Sequence, residues 1–285
     1  MMTALSLVRR RLGLLLALFC LAWSGNAHAQ VIESLKVIQD GTMWDVSTTD
    51  GSFEQLGGTG DWAGATAFSG FFSLDGQYII QDAKIWNASV GDGSFTVLSD
   101  ADWSGPALSA IGLEQDGLTQ ALYVIQNSHI ADVNPSTGDY TVLGGADWAG
   151  ATSMGYHFET ADTERLYIIQ DDSLWRADIT DGSFALLGPA GAWPGDTLMQ
   201  AASDKLYVIQ GGEILTVDYA TGLWTVLNGE DWSGATSMLL LDGFLYVIQN
   251  SHLAKVNATT GTYTVLGGAD WGGPTLMSAH RVVIR

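Results

Sequence analysis

Cysteine is almost missing. The single cysteine among 285 residues is Cys20, inside an apolar stretch near the N-terminus, so the chain beyond it has no thiols to pair. A disulfide framework is excluded, and stability must come from a packed core. Positive charge is also scarce: Lys and Arg number 11 against 31 Asp and Glu, a formal net charge of −20. Phosphate backbones and anionic headgroups need clustered cations, so nucleic acid and lipid surfaces are poor partners. No run beyond residue 30 is continuously apolar enough to cross a bilayer, so no membrane insertion is expected. Sustained 3.6-residue periodicity is absent there too, so helix should be rare.

Catalytic signatures are equally thin. There is no Gly-x-Ser-x-Gly elbow, no His-Glu-x-x-His, no Walker loop and no Asp-x-Asp-x-Asp-Gly calcium loop. The acids are spread over turns, and no carboxylate pair stands out. No enzyme, cofactor or metal is therefore expected.

The N-terminus has a short basic start (MMTALSLVRRR), an apolar run (LGLLLALFCLAW) and an Ala-x-Ala ending at Ala27, His28 and Ala29. This is the pattern of a secretory signal peptide over residues 1–29, leaving 30–285 as the mature chain, secreted or periplasmic. Phe19 and Leu21 flank Cys20 and argue against lipid attachment there. Loss of Arg9, Arg10 and Arg11 takes the formal charge from −20 to −23. Such acidity suits solubility outside the cell, with acids acting as ligands as the other reading. The remaining length suffices for one large all-β domain or two smaller ones.

What the sequence does have is repetition. YVIQNSHLAKVNATTGTYTVLGGADWGGPTLM at 246–277 nearly repeats YVIQNSHIADVNPSTGDYTVLGGADWAGATSM at 123–154. A strand-like word ending in glutamine recurs at Gln39, Gln81, Gln126, Gln170, Gln210 and Gln249, in steps of 42, 45, 44, 40 and 39 residues. Trp-x-Gly keeps pace at Trp62, Trp103, Trp148, Trp193, Trp232 and Trp271. Within 236–268, four strand-length runs are separated by Asp242-Gly243, Asn250-Ser251 and Thr260-Gly261, each a turn signal. A period near forty with four strands per unit predicts an all-β, six-bladed β-propeller of four-stranded antiparallel blades. Closure would have the N- and C-terminal strands share one blade, with the C-terminal strand at Pro274–Ser278 innermost and LKVIQ second. RVVIR at 281–285 resembles another second strand. It would either add an edge or displace LKVIQ. A monomer is expected.

In an up-and-down blade, the turn after strand two and the linker after strand four lie at the same end. The Gln-Asn/Asp turns and the Asp-Trp linkers should therefore converge on one face. Thr-Gly and Asp-Gly pairs such as Asp181-Gly182 read as turn chemistry. The inner strands (TAFSG, ALSAI, TSMGY, TLMQA, TSMLL, TLMSA) should line a narrow channel with small and apolar residues.

The Asp-Trp words have two readings. The indole could wedge between blades while the carboxylate caps the turn. Alternatively the ring stacks on a sugar while acids and amides bond its hydroxyls. The ligand-binding candidates on the second reading are Asp61, Trp62, Asp102, Trp103, Asp147, Trp148, Asp231, Trp232, Asp270 and Trp271, with Asn127 and Asn250. The fourth copy has Ala192 before Trp193 and would be dead or weak. The glutamines could satisfy backbone groups of the next blade, or bind ligand. His129 and His252 are three units apart, hence across the ring, and cannot share a metal ion.

Trp-x-Gly-(Ala/Pro)-Thr entering each inner strand, followed by a Tyr-Val-Ile strand, resembles tectonin and tachylectin-type β-propellers over 31–285. That resemblance implies a lectin-like protein with sugar sites repeated around the ring. The expected function is multivalent carbohydrate binding without catalysis, with glycans or a surface protein as partners. A protein-interaction or cell-surface scaffold is the alternative. A lyase or hydrolase using Glu114 or Asp162 in the long asymmetric turns is a third reading.

Overall fold

The computed structural model describes residues 30–70, 76–113, 120–160, 163–268 and 271–284. Glu114, Asp162 and Asp270 lie outside them. The chain forms two compact units, Met1–Ile32 with Val282–Arg285, and Glu33–Arg281. In the first, the described residues 30–32 and 282–284 are strand. The second carries the repeat.

All regular structure in the described residues is strand, in six four-stranded antiparallel sheets. Blade I is composite. Thr275–Ile284 is innermost, followed by Gln30–Gln39, Thr42–Ser47 and Phe53–Leu56. Blade II runs Ala67–Gly70, Gly76–Gln81, Lys84–Ser89 and Phe95–Ser99. Blade III runs Leu108–Leu113, Gln120–Gln126, His129–Val133 and Tyr140–Leu143. Blade IV spans Ala151–Leu187, blade V Leu198–Val226 and blade VI Ala235–Leu266, each in the same order. The fold is thus a six-bladed β-propeller in which both termini share a blade. RVVIR does neither of the things expected of it. Residues 281–284 continue the innermost strand, and LKVIQ keeps second place. No turn former separates Ser278 from Arg281, so the chain has no place to fold back.

Each second strand is covered on both faces by neighbouring blades and reads as a continuous apolar word. In LYVIQ of blade V, Leu206, Tyr207, Val208 and Ile209 are all buried. Third strands alternate, and fourth strands are largely exposed. Between blades the core divides into six clusters, one per junction. Ile38, Met43 and Leu56 of blade I meet Phe68 and Ile79 of blade II. At the closing junction Leu35 and Val37 of blade I meet Leu241, Tyr246 and Leu253 of blade VI. On the other side of blade I, Gln77 Nε2 donates to the Ala279 carbonyl at 3.3 Å.

The hairpins between strands three and four do more than turn. Asp181 Oδ1 accepts from the Ser183 N–H at 2.8 Å, as the turn reading requires. In addition, Gly182 abuts the main chain where the preceding blade ends. A Cβ there would lie 2.5 Å from Gly144 N, at a φ of +70°. Only glycine meets both demands.

Candidate functional site: the corners of one face

The turn after each second strand uses left-handed backbone. Asn127 and Ser128 have φ of 47° and 70°, and Asn250 and Ser251 have 48° and 68°. Two consecutive positive φ values make a type I′ hairpin, which favours Asn, Asp and Gly. That explains the Asn/Asp after each glutamine, and Gly211-Gly212 in blade V.

The two repeated words meet in every unit. The Trp backbone N–H of each linker donates to a turn carbonyl of the blade it leaves: Trp62 to Gly41, Trp103 to Ala83, Trp148 to Ser128, Trp193 to Asp172, Trp232 to Gly212 and Trp271 to Ser251, at 2.7–3.0 Å. The glutamine of the blade being entered donates to a linker carbonyl: Gln39 to Gly272 (2.7 Å), Gln81 to Ala63 (2.8 Å), Gln126 to Ser104 (2.6 Å) and Gln249 to Asp231 (2.7 Å). Gln170 reaches both Asp147 and Ala149, and Gln210 reaches Pro194. The glutamines thus serve the linker into their own blade, where the expectation was the next blade. The linker is the irregular backbone nearest each strand end, and its carbonyls have no sheet partner.

The indoles are brackets. Trp62, Trp103, Trp148, Trp193, Trp232 and Trp271 are 1–4% exposed, one in each junction cluster. Each meets the aromatic residue that opens the fourth strand of the blade being entered. Trp62 meets Phe95 at 4.9 Å, Trp103 Tyr140 at 5.1 Å, Trp148 Phe184 at 5.3 Å and Trp193 Trp224 at 5.2 Å. Trp232 meets Tyr263 at 5.3 Å and Trp271 meets Phe53 at 5.5 Å. The sugar-stacking role expected of Trp62, Trp103, Trp148, Trp232 and Trp271 therefore has no open ring face to use. The sequence reading overlooked the partner aromatics. Their signal is an aromatic two residues after each hairpin glycine, from Gly51 and Phe53 to Gly261 and Tyr263.

The acids remain outside. Asp102, Asp147 and Asp231 are exposed and Asp61 half-buried. One carboxylate oxygen of each accepts from a linker N–H: Asp61 from Gly58 (2.6 Å), Asp102 from Ser104 (3.0 Å), Asp147 from Ala149 (2.9 Å) and Asp231 from Ser233 (2.8 Å). The Ser104 hydroxyl, then its N–H, holds the Asp102 carboxyl below the usual range, and Ser233 does the same for Asp231. For Asp147 the Ala149 N–H leads, followed by the Ser128 hydroxyl, with His129 adding a smaller pull. Asn127 and Asn250 are exposed at their turns. His129 and His252 are exposed too, each with Nδ1 2.7 Å from the carbonyl oxygen two residues earlier.

At blade III these groups surround a hollow of about 240 Å³, lined by Asp102, Trp103, Gln126, Asn127, His129, Ala131, Tyr140 and Val142. Tyr140 is 48% exposed, so the open aromatic there is the tyrosine. Among the described residues no group of three or more His, Cys, Asp or Glu could hold a metal ion. No helix among them is long and apolar enough to cross a membrane.

No protein-family model matches the chain, and no curated protein matches its sequence. Among solved structures it is similar to a chain of the crystal structure of a nidogen/laminin complex, with a TM-score of 0.68 and 14% identity, covering 87% of this chain and 98% of that one. At that identity the likeness speaks for the β-propeller fold alone.

Proposed function

We propose that the chain is an exported, non-enzymatic binding propeller that engages a protein partner through the face bearing the Gln-Asn/Asp turns and Asp-Trp linkers. The observation that carries this is the charge of that face. Asp40, Asp82, Asp102, Asp147, Asp171 and Asp231 stand exposed on turns fixed by hydrogen bonds. Lys84 is the described lysine beside them, and the cations Arg165 and Lys205 belong to the opposite ends of their blades. A rigid, repeated, acidic surface suits a partner with a complementary basic surface, and complementarity of this kind speeds encounter and sets register. Repetition of the corner allows several weak contacts to act together. The solved propeller to which the chain is similar is itself part of a protein complex.

Carbohydrate is the second reading, supported by the blade III hollow, where Tyr140 offers an exposed ring beside Asp102, Asn127 and His129. The resemblance to lectin-like propellers favours it as well. Affinity capture with the full chain and with a variant carrying Asp82→Asn, Asp102→Asn and Asp171→Asn decides between them. A protein retained by the first, lost by the second and eluted by salt is the expected result. Retention on a glycan panel, lost with Tyr140→Ala and accompanied by no protein partner, would overturn it in favour of sugar.

A further inference from the structure

Three of the six third strands carry a tryptophan at one place. Trp44, Trp86 and Trp175 stand opposite Gln55, Val97 and Leu186 of the fourth strand. Each lies against the aromatic that opens its fourth strand, Phe53, Phe95 or Phe184, with ring centroids 5.3–5.6 Å apart. The indole N–H is used as well. Trp86 Nε1 donates to the Gln81 carbonyl at 3.1 Å, and Trp175 Nε1 to the Gln170 carbonyl at 3.3 Å. Lys84 Nζ stands 5.8 Å from the centre of the Trp86 ring.

Blade V has Leu215 at that place, and blades III and VI have alanine: Ala131 opposite Val142 and Ala254 opposite Val265. The three neighbours of Trp86 have counterparts around Ala131. Gln126 stands for Gln81, His129 for Lys84 and Tyr140 for Phe95, and all three line the blade III hollow. The hollow is therefore the space that an indole fills in blade II. Every residue type lining it recurs at the same place in blade VI, from Asp231 and Trp232 to Tyr263 and Val265. The opening aromatic changes in step, phenylalanine beside each of the three tryptophans and tyrosine beside each alanine. A hydroxyl suits rings left 48% exposed at Tyr140 and 43% at Tyr263.

We propose that the alanine corners of blades III and VI each receive the indole of a tryptophan on the partner, flanked by a lysine or arginine. The ring lies over Ala131 and beside Tyr140, and its N–H meets the Gln126 carbonyl as Trp86 meets that of Gln81. The cation meets Asp102, whose carboxyl the Ser104 hydroxyl and N–H hold below the usual range. Tryptophan is a frequent interface anchor, because one ring brings a large apolar area and one donor to a pocket. At about 240 Å³ the hollow is smaller than the roughly 300–1,000 Å³ of small-molecule pockets and suits one side chain. This names the anchor for the protein-binding reading above and rests on it.

The test uses the full chain with its alanine methyls labelled with carbon-13, titrated with the end-capped tripeptide Lys-Trp-Lys and, separately, with Lys-Ala-Lys. The tryptophan peptide should move the Ala131 and Ala254 signals upfield, saturably and with two equivalents bound, because a methyl beneath an indole face is shielded. Ala88, fully buried at the blade I–II junction, should stay still, and Lys-Ala-Lys should move none of them. Ala131→Trp installs the residue that blades I, II and IV already accommodate, and should leave one equivalent and the Ala254 shift. If that variant fails to fold, Trp86→Ala decides in its place by adding a third equivalent. Unmoved methyls, equal shifts with both peptides, or a stoichiometry indifferent to the variant overturn the proposal, as does a shift of the same methyls by methyl glucoside alone. A basic protein captured equally by the wild type and by the chain carrying Ala131→Trp and Ala254→Trp would overturn it while the protein-binding reading stands. No captured protein, with the peptide shifts intact, would remove that reading and leave the two corners as indole sites.

Discussion

Replacing Trp148 with alanine tests the bracket reading most directly. The indole is 2% exposed and sits between Ile125 and Ile130 of blade III and Leu166 and Ile168 of blade IV. Truncating a buried tryptophan costs about 3–5 kcal/mol, because the junction cannot fully collapse around the gap. The edge contact with Phe184 at 5.3 Å adds about 0.5–1.5 kcal/mol beyond area burial. Against a total stability of about 5–15 kcal/mol, one junction would lose a large share. At about 2–4 °C per kcal/mol for a domain of this size, a loss of 4 kcal/mol lowers Tm by about 8–16 °C. Urea unfolding followed by tryptophan fluorescence, with Asp147→Ala as the neighbouring control, measures it. The control loses one exposed carboxylate–amide bond, which water replaces, and should shift the curve far less. The phenylalanine series sharpens the test. Trp103 Nε1 donates to Ser99 Oγ and Trp232 Nε1 to Asn228 Oδ1, both at 3.1 Å. Trp62, Trp148 and Trp193 find no acceptor for the same group among the described residues, since glycine stands at the corresponding place, as at Gly57, Gly144 and Gly188. Trp103→Phe and Trp232→Phe should therefore cost about 1 kcal/mol more than Trp148→Phe. A Trp148→Ala protein melting within a degree or two of the wild type would refute the bracket, and equal costs across the phenylalanine series would refute the hydrogen-bond assignment.

Acid should weaken the fold through its turns. Ser47 and Ser52 hold the Asp50 carboxyl at about 2, and serine hydroxyls and turn N–H groups lower Asp92, Asp181 and Asp218 likewise, with Ser or Thr donors first. A depressed carboxylate stabilises above its unfolded pKa and loses that contribution as pH falls through the folded value. Tm should therefore decline from about pH 5 towards pH 2, and a flat profile in a thermal scan would contradict it. Gly182→Ala should destabilise strongly, because its Cβ meets Gly144 N, whereas Gly60→Ala, with nothing within 4 Å, should cost only the left-handed penalty of about 1–2 kcal/mol; urea midpoints compare them. Asp45→Ala removes the carboxylate paired with Lys36, which is 1% exposed, and should cost about 3–5 kcal/mol by leaving a buried ammonium unpaired, read by the same unfolding curves.

Blade number, strand order and the meeting of two polar words were legible because they follow from periodicity and chain direction. A 39- to 45-residue repeat with four bounded runs leaves little choice of architecture, and antiparallel order decides which turns share an end. Three matters were not legible, each for a reason of distance. Which way an indole points depends on the blade beside it, and the partner aromatic lies between 31 residues downstream, as for Trp193 with Trp224 and Trp232 with Tyr263, and 37, as for Trp103 with Tyr140, while Trp271 meets Phe53 across the ring closure. The role of the hairpin glycines beyond turning depends on contact with the preceding blade. RVVIR reads like a second strand by composition, and only its uninterrupted continuation from Thr275 shows that it lengthens the first.

The repeated words thus split into two populations that the sequence presents as one. Trp and Gln are spent on the ring: each indole fills a junction, and each glutamine amide is committed to a linker carbonyl. Their recurrence needs no ligand to explain it. Asp, Asn and His at the same corners face solvent, and Asp61, Asp102, Asp147 and Asp231 each also accept from a linker N–H. A substitution at Trp148 that abolishes binding consequently says nothing about a binding site, because it removes a junction first. Asn127→Ala and His129→Ala touch neither a cluster nor a linker bond, so any binding they abolish while Tm holds must pass through the blade III corner itself.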